Sequence, residues 1–220
     1  MRVNGMGISL ITLVIIMILT ISINTNTQSA DTPDYDFYLR ELAEKASIKI
    51  GFAAVNNFWS MADSEQYMEI AKNEFNILTP ENQMKMDSLQ PDMDSFNFEQ
   101  ADRHVRFAEE NGMDVHGHAL VWHNQTPSWL TETNWEKEEL DKILKEHIKT
   151  VVEHYKGKVK VWDVVNEAFM DDGSYRRSIW YNVLGKEYIE KSFVRAKEID
   201  PDATLIYNDY GIGSINNKSN

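Results

Sequence analysis

The 220-residue sequence contains no cysteine, so no disulfide can brace it. A domain of this length does not need such staples, which matter most in small secreted scaffolds. It also lacks an excess of positive charge. Lys and Arg number 22 against 35 Asp and Glu, for a formal net charge of −13. The acidic balance argues against nucleic acid as a partner, because binding phosphates needs clustered Lys and Arg. A neutral polysaccharide would not be repelled by that balance. No G-x-G-x-x-G or P-loop pattern occurs, and no low-complexity linker. Nothing calls for a nucleotide, and no cofactor is expected.

One long apolar run is present. Ile8 to Ile23 is broken only by Ser9, Thr12, Thr20 and Ser22. Arg2 precedes it, and small or polar residues through Ser29 and Ala30 follow. That layout predicts a secretory signal peptide over residues 1–30, cleaved near Ser29 or Ala30. The protein is then expected to be secreted, free of the membrane and monomeric. An uncleaved anchor is the alternative, although a relaxed crossing needs about 20 apolar residues. Residues 31–220, about 190 of them, suffice for one domain with a hydrophobic core.

Short apolar runs alternate with helical patterns along that domain. Strands are predicted at 50–54, 75–78, 114–122, 159–165 and 204–207. Helices are predicted at 98–110, 141–155 and 186–199, stopping at Gly112, Gly157 and before Pro201. Strand–helix–strand repetition implies a parallel sheet covered by helices. Polar residues crowd the ends of four strands: Glu81 and Asn82, His118 and Trp122, Asn166 and Glu167, Asn208 and Asp209. Barrel enzymes build sites from the C-terminal ends of several strands, whereas a doubly wound sheet concentrates its site at one switch point. The α/β class is therefore predicted as a (β/α)8 TIM barrel. A barrel needs eight strands and about 250 residues, so the sequence is expected to be only its first five β/α units, incomplete at the C-terminus.

Asp163, Val165 and Glu167 fall on one face of the fourth strand, at its mouth end. Two carboxylates there are expensive to bury unless they serve a site. A carboxylic acid in a partly apolar pocket can hold a proton and deliver it to a leaving oxygen, the general acid of glycoside hydrolysis. Pairing with lysines on an exposed edge is the plainer alternative. Trp122, Trp129, Trp162, Tyr207 and Tyr210 lie near the same strand ends and could stack on sugar rings. Trp162 alternates away from Glu167 and is expected in the core. His116 and His118 form an H-x-H pattern that also suits a metal-dependent hydrolase, but no third or fourth ligand accompanies them. His104 is expected on a helix surface or flank, without a role.

Four runs then carry a resemblance: Thr79-Pro80-Glu81-Asn82-Gln83-Met84-Lys85, Gly117-His118-Ala119-Leu120-Val121-Trp122-His123-Asn124-Gln125-Thr126-Pro127, Trp162-Asp163-Val164-Val165-Asn166-Glu167-Ala168 and Tyr207-Asn208-Asp209-Tyr210. In order and spacing they resemble glycoside hydrolase family ten, the xylanase family. The similarity runs from about Leu39 to the end. It implies a (β/α)8 barrel that cleaves internal β-1,4 bonds of xylan with retention of configuration. By resemblance Glu167 is the acid/base, and Asn166 holds the sugar 2-hydroxyl. Glu81, Asn82 and Lys85 grip the next sugar. His118, Trp122 and Gln125 line the central one, and Asp163 fixes that histidine. The family's nucleophile, a second glutamate on a later strand, falls beyond this sequence. Two departures stand out: Met86 follows Lys85 where Trp is usual, and His116 stands where Arg is common. An inactive xylan-binding fragment is the second reading, and a metal-dependent barrel hydrolase using His116 and His118 the third.

Overall fold

The computed structural model describes residues 37–219. The expected leader, residues 1–30, lies outside them. In chain order the elements are α1 (Leu39–Lys45), β1 (Gly51–Ala54), a 3-10 turn (Phe58–Ser60), α2 (Ser64–Glu74), β2 (Ile77–Pro80), α3 (Met86–Leu89), α4 (Glu99–Glu110), β3 (Asp114–Val121), α5 (Ser128–Thr131), α6 (Lys137–Tyr155), β4 (Val159–Asn166), α7 (Ile179–Leu184), α8 (Glu187–Ile199) and β5 (Thr204–Asn208). The strands form one sheet in the order β1-β2-β3-β4-β5, with every pairing parallel. Each strand therefore lies beside its predecessor, the order of successive β/α units in a barrel.

Five strands were expected and five are present among the described residues, with ends shifted by one or two residues. β2 runs on to Pro80, which ends it because proline has no N–H for the ladder. The Glu81 N–H then bonds the Ala54 carbonyl at 3.0 Å and carries the pairing one step further. α6 begins four residues before the expected start, where the Glu139 carboxylate reaches back to the Glu136 N–H at 3.3 Å.

α2 was not anticipated. Its apolar stripe is weak, and Ala71 is its only buried residue. The three short helices α3, α5 and α7 also escaped the pattern, since four to six residues give no usable period.

β3 and β4 form the centre of the core. Val115, Leu120, Val121, Trp162, Val164 and Val165 are buried in one core cluster with Leu144, Ile148, Val151, Val152 and Tyr155 of α6. Each such aliphatic contributes about 1.5–3 kcal/mol by leaving water. Trp162 is fully buried and faces the helix layer, as expected, with its ring 6.1 Å from that of Tyr155. It lies directly over Gly117 on the adjacent strand, where a Cβ would sit 2.2 Å from two indole carbons. Glycine at 117 is thus required by close approach.

His104 is corrected by the structure. It is not a surface residue but wholly buried, packed between Phe58 and Trp59 of the 3-10 turn. Its Nδ1 meets the Gln100 carbonyl at 2.9 Å. Burial pushes the imidazole below its ordinary pKa.

Candidate active site

The polar strand ends meet at one mouth of the sheet. The Asp163 carboxylate is buried, and two imidazoles converge on it. His116 Nε2 lies 2.9 Å from Oδ1 and His118 Nδ1 lies 2.8 Å from Oδ2. Burial alone would raise this carboxyl's pKa, but the two hydrogen bonds outweigh it and hold the group below the usual carboxylate range. The plainer pairing of Asp163 with lysines on an exposed edge does not occur. His116 and His118 share a face, as the H-x-H pattern implied, but each spends a ring nitrogen on Asp163. Among the described residues no group of three or more His, Asp and Glu is placed to hold a metal ion.

Glu167 follows the last residue of β4. Strict alternation no longer applies there, because Glu167 adopts φ 53°, in the left-handed region. Its N–H bonds the Asn208 carbonyl at the end of β5, at 2.9 Å. Its carboxylate accepts the Trp122 indole N–H at 2.9 Å. Trp122 is itself fixed by its carbonyl, which takes the Trp180 indole N–H at 2.8 Å. His123 Nδ1 stands 3.9 Å from the Glu167 carboxylate. Burial first, and the Arg176 charge second, lower the pKa of that imidazole. The Asn166 side chain is buried, and its Oδ1 accepts the Asn208 amide at 3.1 Å. Its own NH2 group remains available to donate. Tyr207 donates to Asp209 and accepts the Ala168 N–H at 3.0 Å. Burial, then the Asp209 carboxylate, raise its pKa well above the ordinary phenol value.

A second cluster adjoins the first. Lys85 Nζ donates to Asn82 Oδ1 at 3.0 Å and to Gln125 Oε1 at 2.5 Å, and lies 4.8 Å from the centre of the Trp122 ring. Gln125 Nε2 donates to the same Asn82 oxygen at 3.1 Å, and Asn82 Nδ2 reaches Asn56 at 3.2 Å. Lys85 is buried, and among the described residues no carboxylate lies within ion-pair distance of it. Burial lowers its pKa, while the more distant Asp87, Glu81 and Glu167 carboxylates raise it. Two amide oxygens and one indole face thus hold the ammonium, with donor capacity left over. Glu81 is exposed on the rim beside this cluster.

The structure therefore gathers Asn82, Lys85, Gln125, Trp122 and Glu167 through hydrogen bonds and one cation–π contact, with Asn166 joined to them through Asn208 and His118 and Asp163 behind. Met86, at one of the two departures, is buried in the core. Trp129 is half-buried and donates to the Gln90 carbonyl at 3.1 Å. Arg176 and Asn56 were not foreseen. Arg176 belongs to the chain's sole pair of adjacent arginines, which was its only signal.

Amides, an ammonium and an indole-held carboxyl at the ends of parallel strands define an α/β enzyme site of the kind barrel folds carry. Residues 38–220 match the model of Glycosyl hydrolase family 10, and the chain belongs to that family. Family neighbours are (β/α)8 barrels, of which this chain supplies five parallel β/α units. Endo-1,4-beta-xylanase B from Thermotoga neapolitana is 64% identical over 185 residues, covering 84% of this chain and 54% of that protein. The chain thus spans about half the length of that curated relative. The crystal structure of xylanase 10B from Thermotoga petrophila RKU-1 in complex with xylobiose superposes with a TM-score of 0.83 at 64% identity, over 84% of this chain and 57% of that one. Native xylanase 10B from Thermotoga maritima gives 0.82 at 65% identity, over 83% and 56%.

Proposed function

We propose that this chain carries the acid/base half of an endo-1,4-β-xylanase site, with xylan or xylo-oligosaccharide as substrate. The observation that carries the reading is the Glu167 carboxyl, held at 2.9 Å by the Trp122 indole N–H beside the Lys85–Asn82–Gln125 cluster. Glu167 delivers a proton to the departing glycosidic oxygen. The Asn166 amide donates to the sugar 2-hydroxyl, a contact that strengthens as the ring becomes oxocarbenium-like. Lys85, Asn82 and Gln125 offer donors and acceptors in fixed array to the hydroxyls of the neighbouring sugar, with Glu81 at its rim. His118, oriented by Asp163, and Trp122 line the central ring.

Retention requires a second carboxyl about 5–5.5 Å from the first, which attacks the anomeric carbon. In this reading that nucleophile comes from the part of the relatives' length that this chain does not span. Glu167, left deprotonated by the first step, then takes the proton of the water that releases the sugar. The bound xylobiose in the Thermotoga petrophila structure supports a substrate of this class. Residues 1–30 are proposed to direct secretion; N-terminal sequencing of exported protein beginning at residue 2 would refute cleavage.

Glu167→Gln in the full-length protein keeps the acceptor for Trp122 and removes the acid. Turnover of soluble xylan is expected to fall by about 10²–10⁴-fold, the usual contribution of general acid–base catalysis. Unchanged turnover would overturn the reading.

A further inference from the structure

Glu167 carries a side chain yet occupies the left-handed region, at φ 53°. Residues other than glycine rarely stay there unless the surroundings impose it. The chain has just left β4, so the carbonyls of Glu167, Ala168 and Phe169 are no longer held by the β4 ladder. Arg176 takes up all three. Its backbone N–H donates to Ala168 O at 2.8 Å, its Nε to Glu167 O at 2.8 Å, and a terminal guanidinium nitrogen to Phe169 O at 3.1 Å. That same nitrogen meets the Tyr210 hydroxyl at 3.3 Å. Among the described residues no carboxylate lies within ion-pair distance of Arg176. A guanidinium normally seeks a carboxylate fork. This one is spent on main chain at the residue after the strand.

We infer that Arg176 is a positioning residue for the acid/base: it fixes the backbone turn at residue 167 and so aims the Glu167 carboxyl at the leaving oxygen. The inference rests on the xylanase reading of Glu167. Without Arg176 the Glu167 carbonyl loses its donor, and the residue relaxes toward commoner backbone angles. A lysine keeps the charge but cannot reach two carbonyls with a planar fork.

Leaving-group dependence provides the test. A xylo-oligosaccharide needs the proton as its bond breaks, whereas a dinitrophenyl β-xylobioside expels a stable anion without one. For both substrates kcat/KM reports the first bond cleavage. The comparison is made in the full-length protein, wild type against R176Q and R176K. The ratio of kcat/KM on xylohexaose to kcat/KM on the dinitrophenyl glycoside is expected to fall by about tenfold or more in either variant, within the range general acid catalysis supplies. Both rates are read on one preparation, so the ratio is independent of the folded fraction. R176K carries the comparison where R176Q does not accumulate. R177Q, at the neighbouring exposed arginine, should leave the ratio unchanged. A ratio within twofold of wild type, whether both rates fall together or neither does, overturns the inference and leaves the xylanase reading intact. A wild type inert toward both substrates overturns the xylanase reading and this inference with it.

Discussion

The indole of Trp122 touches two different ionisable groups of the site. Its N–H donates to Glu167 at 2.9 Å, and its ring face lies 4.8 Å from the Lys85 ammonium. One side chain from the β3 end thus spaces the residue after β4 from the residue that opens α3. It sets the distance between the Glu167 carboxyl and the Lys85–Asn82–Gln125 cluster, and it is fixed in turn by Trp180.

Trp122→Phe keeps a ring beside Lys85 and deletes the N–H. A hydrogen bond to the carboxylate that forms as Glu167 gives up its proton contributes about 1.5–3 kcal/mol. The full-length enzyme is expected to lose about 10–100-fold in kcat/KM on xylo-oligosaccharides. Steady-state kinetics on xylotetraose measure this; a loss under twofold would show the bond to be idle.

Lys85→Met replaces a buried ammonium by an apolar chain of similar volume. Asn82 and Gln125 then lose their shared donor, and the sugar loses a charged one. Xylobiose affinity, measured by calorimetry, is expected to fall about tenfold or more. The unfolding midpoint should stay level or rise, because a desolvated charge without an ion partner has gone. Undiminished affinity would remove Lys85 from the sugar site.

Gly117→Ala places a methyl group 2.2 Å from the Trp162 ring, which is itself fully buried. Overpacking of this kind costs about 1–3 kcal/mol. Thermal unfolding should show a midpoint lower by several degrees. An unshifted midpoint would mean that the β3–β4 spacing yields more easily than core packing normally does.

His147 of α6 is buried, with Nδ1 3.0 Å from Gln90 Oε1. Gln90 donates its own amide to the Met93 carbonyl at 2.8 Å, so Gln90 Oε1 accepts and His147 Nδ1 carries the hydrogen. Burial pushes this imidazole down to about 4, opposed in part by the Leu120 carbonyl. In the unfolded chain it titrates near 6.5. Between those values the unfolded state binds the extra proton, so stability falls as pH is lowered from about 6.5 to 4, by about 3 kcal/mol. Above that window the contribution is fully present. Denaturant melts across this range should therefore lose stability toward acid. The H147N variant, whose amide can replace Nδ1, should show a shallower decline. Parallel declines would assign the acid sensitivity elsewhere, with His104 the next group shifted the same way.

The strands were legible because β-branched runs such as Val159–Val165, buried on both faces from Trp162 onward, need no partner to be recognised. Helices α4, α6 and α8 were legible from apolar stripes with glycine or proline stops. α2 was not, since only Ala71 is buried on it. The Phe58–Ser60 turn was missed as well, and with it the burial of His104, because that turn folds Phe58 and Trp59 over the imidazole. At the site, identities were legible from four motifs, but the bonds were not. Lys85 and Gln125 stand 40 residues apart, and Trp122 and Glu167 stand 45 apart. Arg176 was silent for a further reason. Its partners are carbonyls, which every residue has, so nothing in the side-chain sequence announces them.

Strand order that repeats chain order bears on how the molecule is assembled. As the chain emerges N-terminus first, each new strand finds its one neighbour already in place and never has to be threaded between two earlier ones. Paired strand residues stand 26 to 45 positions apart, and the entropic cost of such closures grows only slowly with length. The segment after β2 that carries Asn82 and Lys85 can therefore be in position before Glu167 has been synthesised, so that cluster precedes the carboxyl it adjoins.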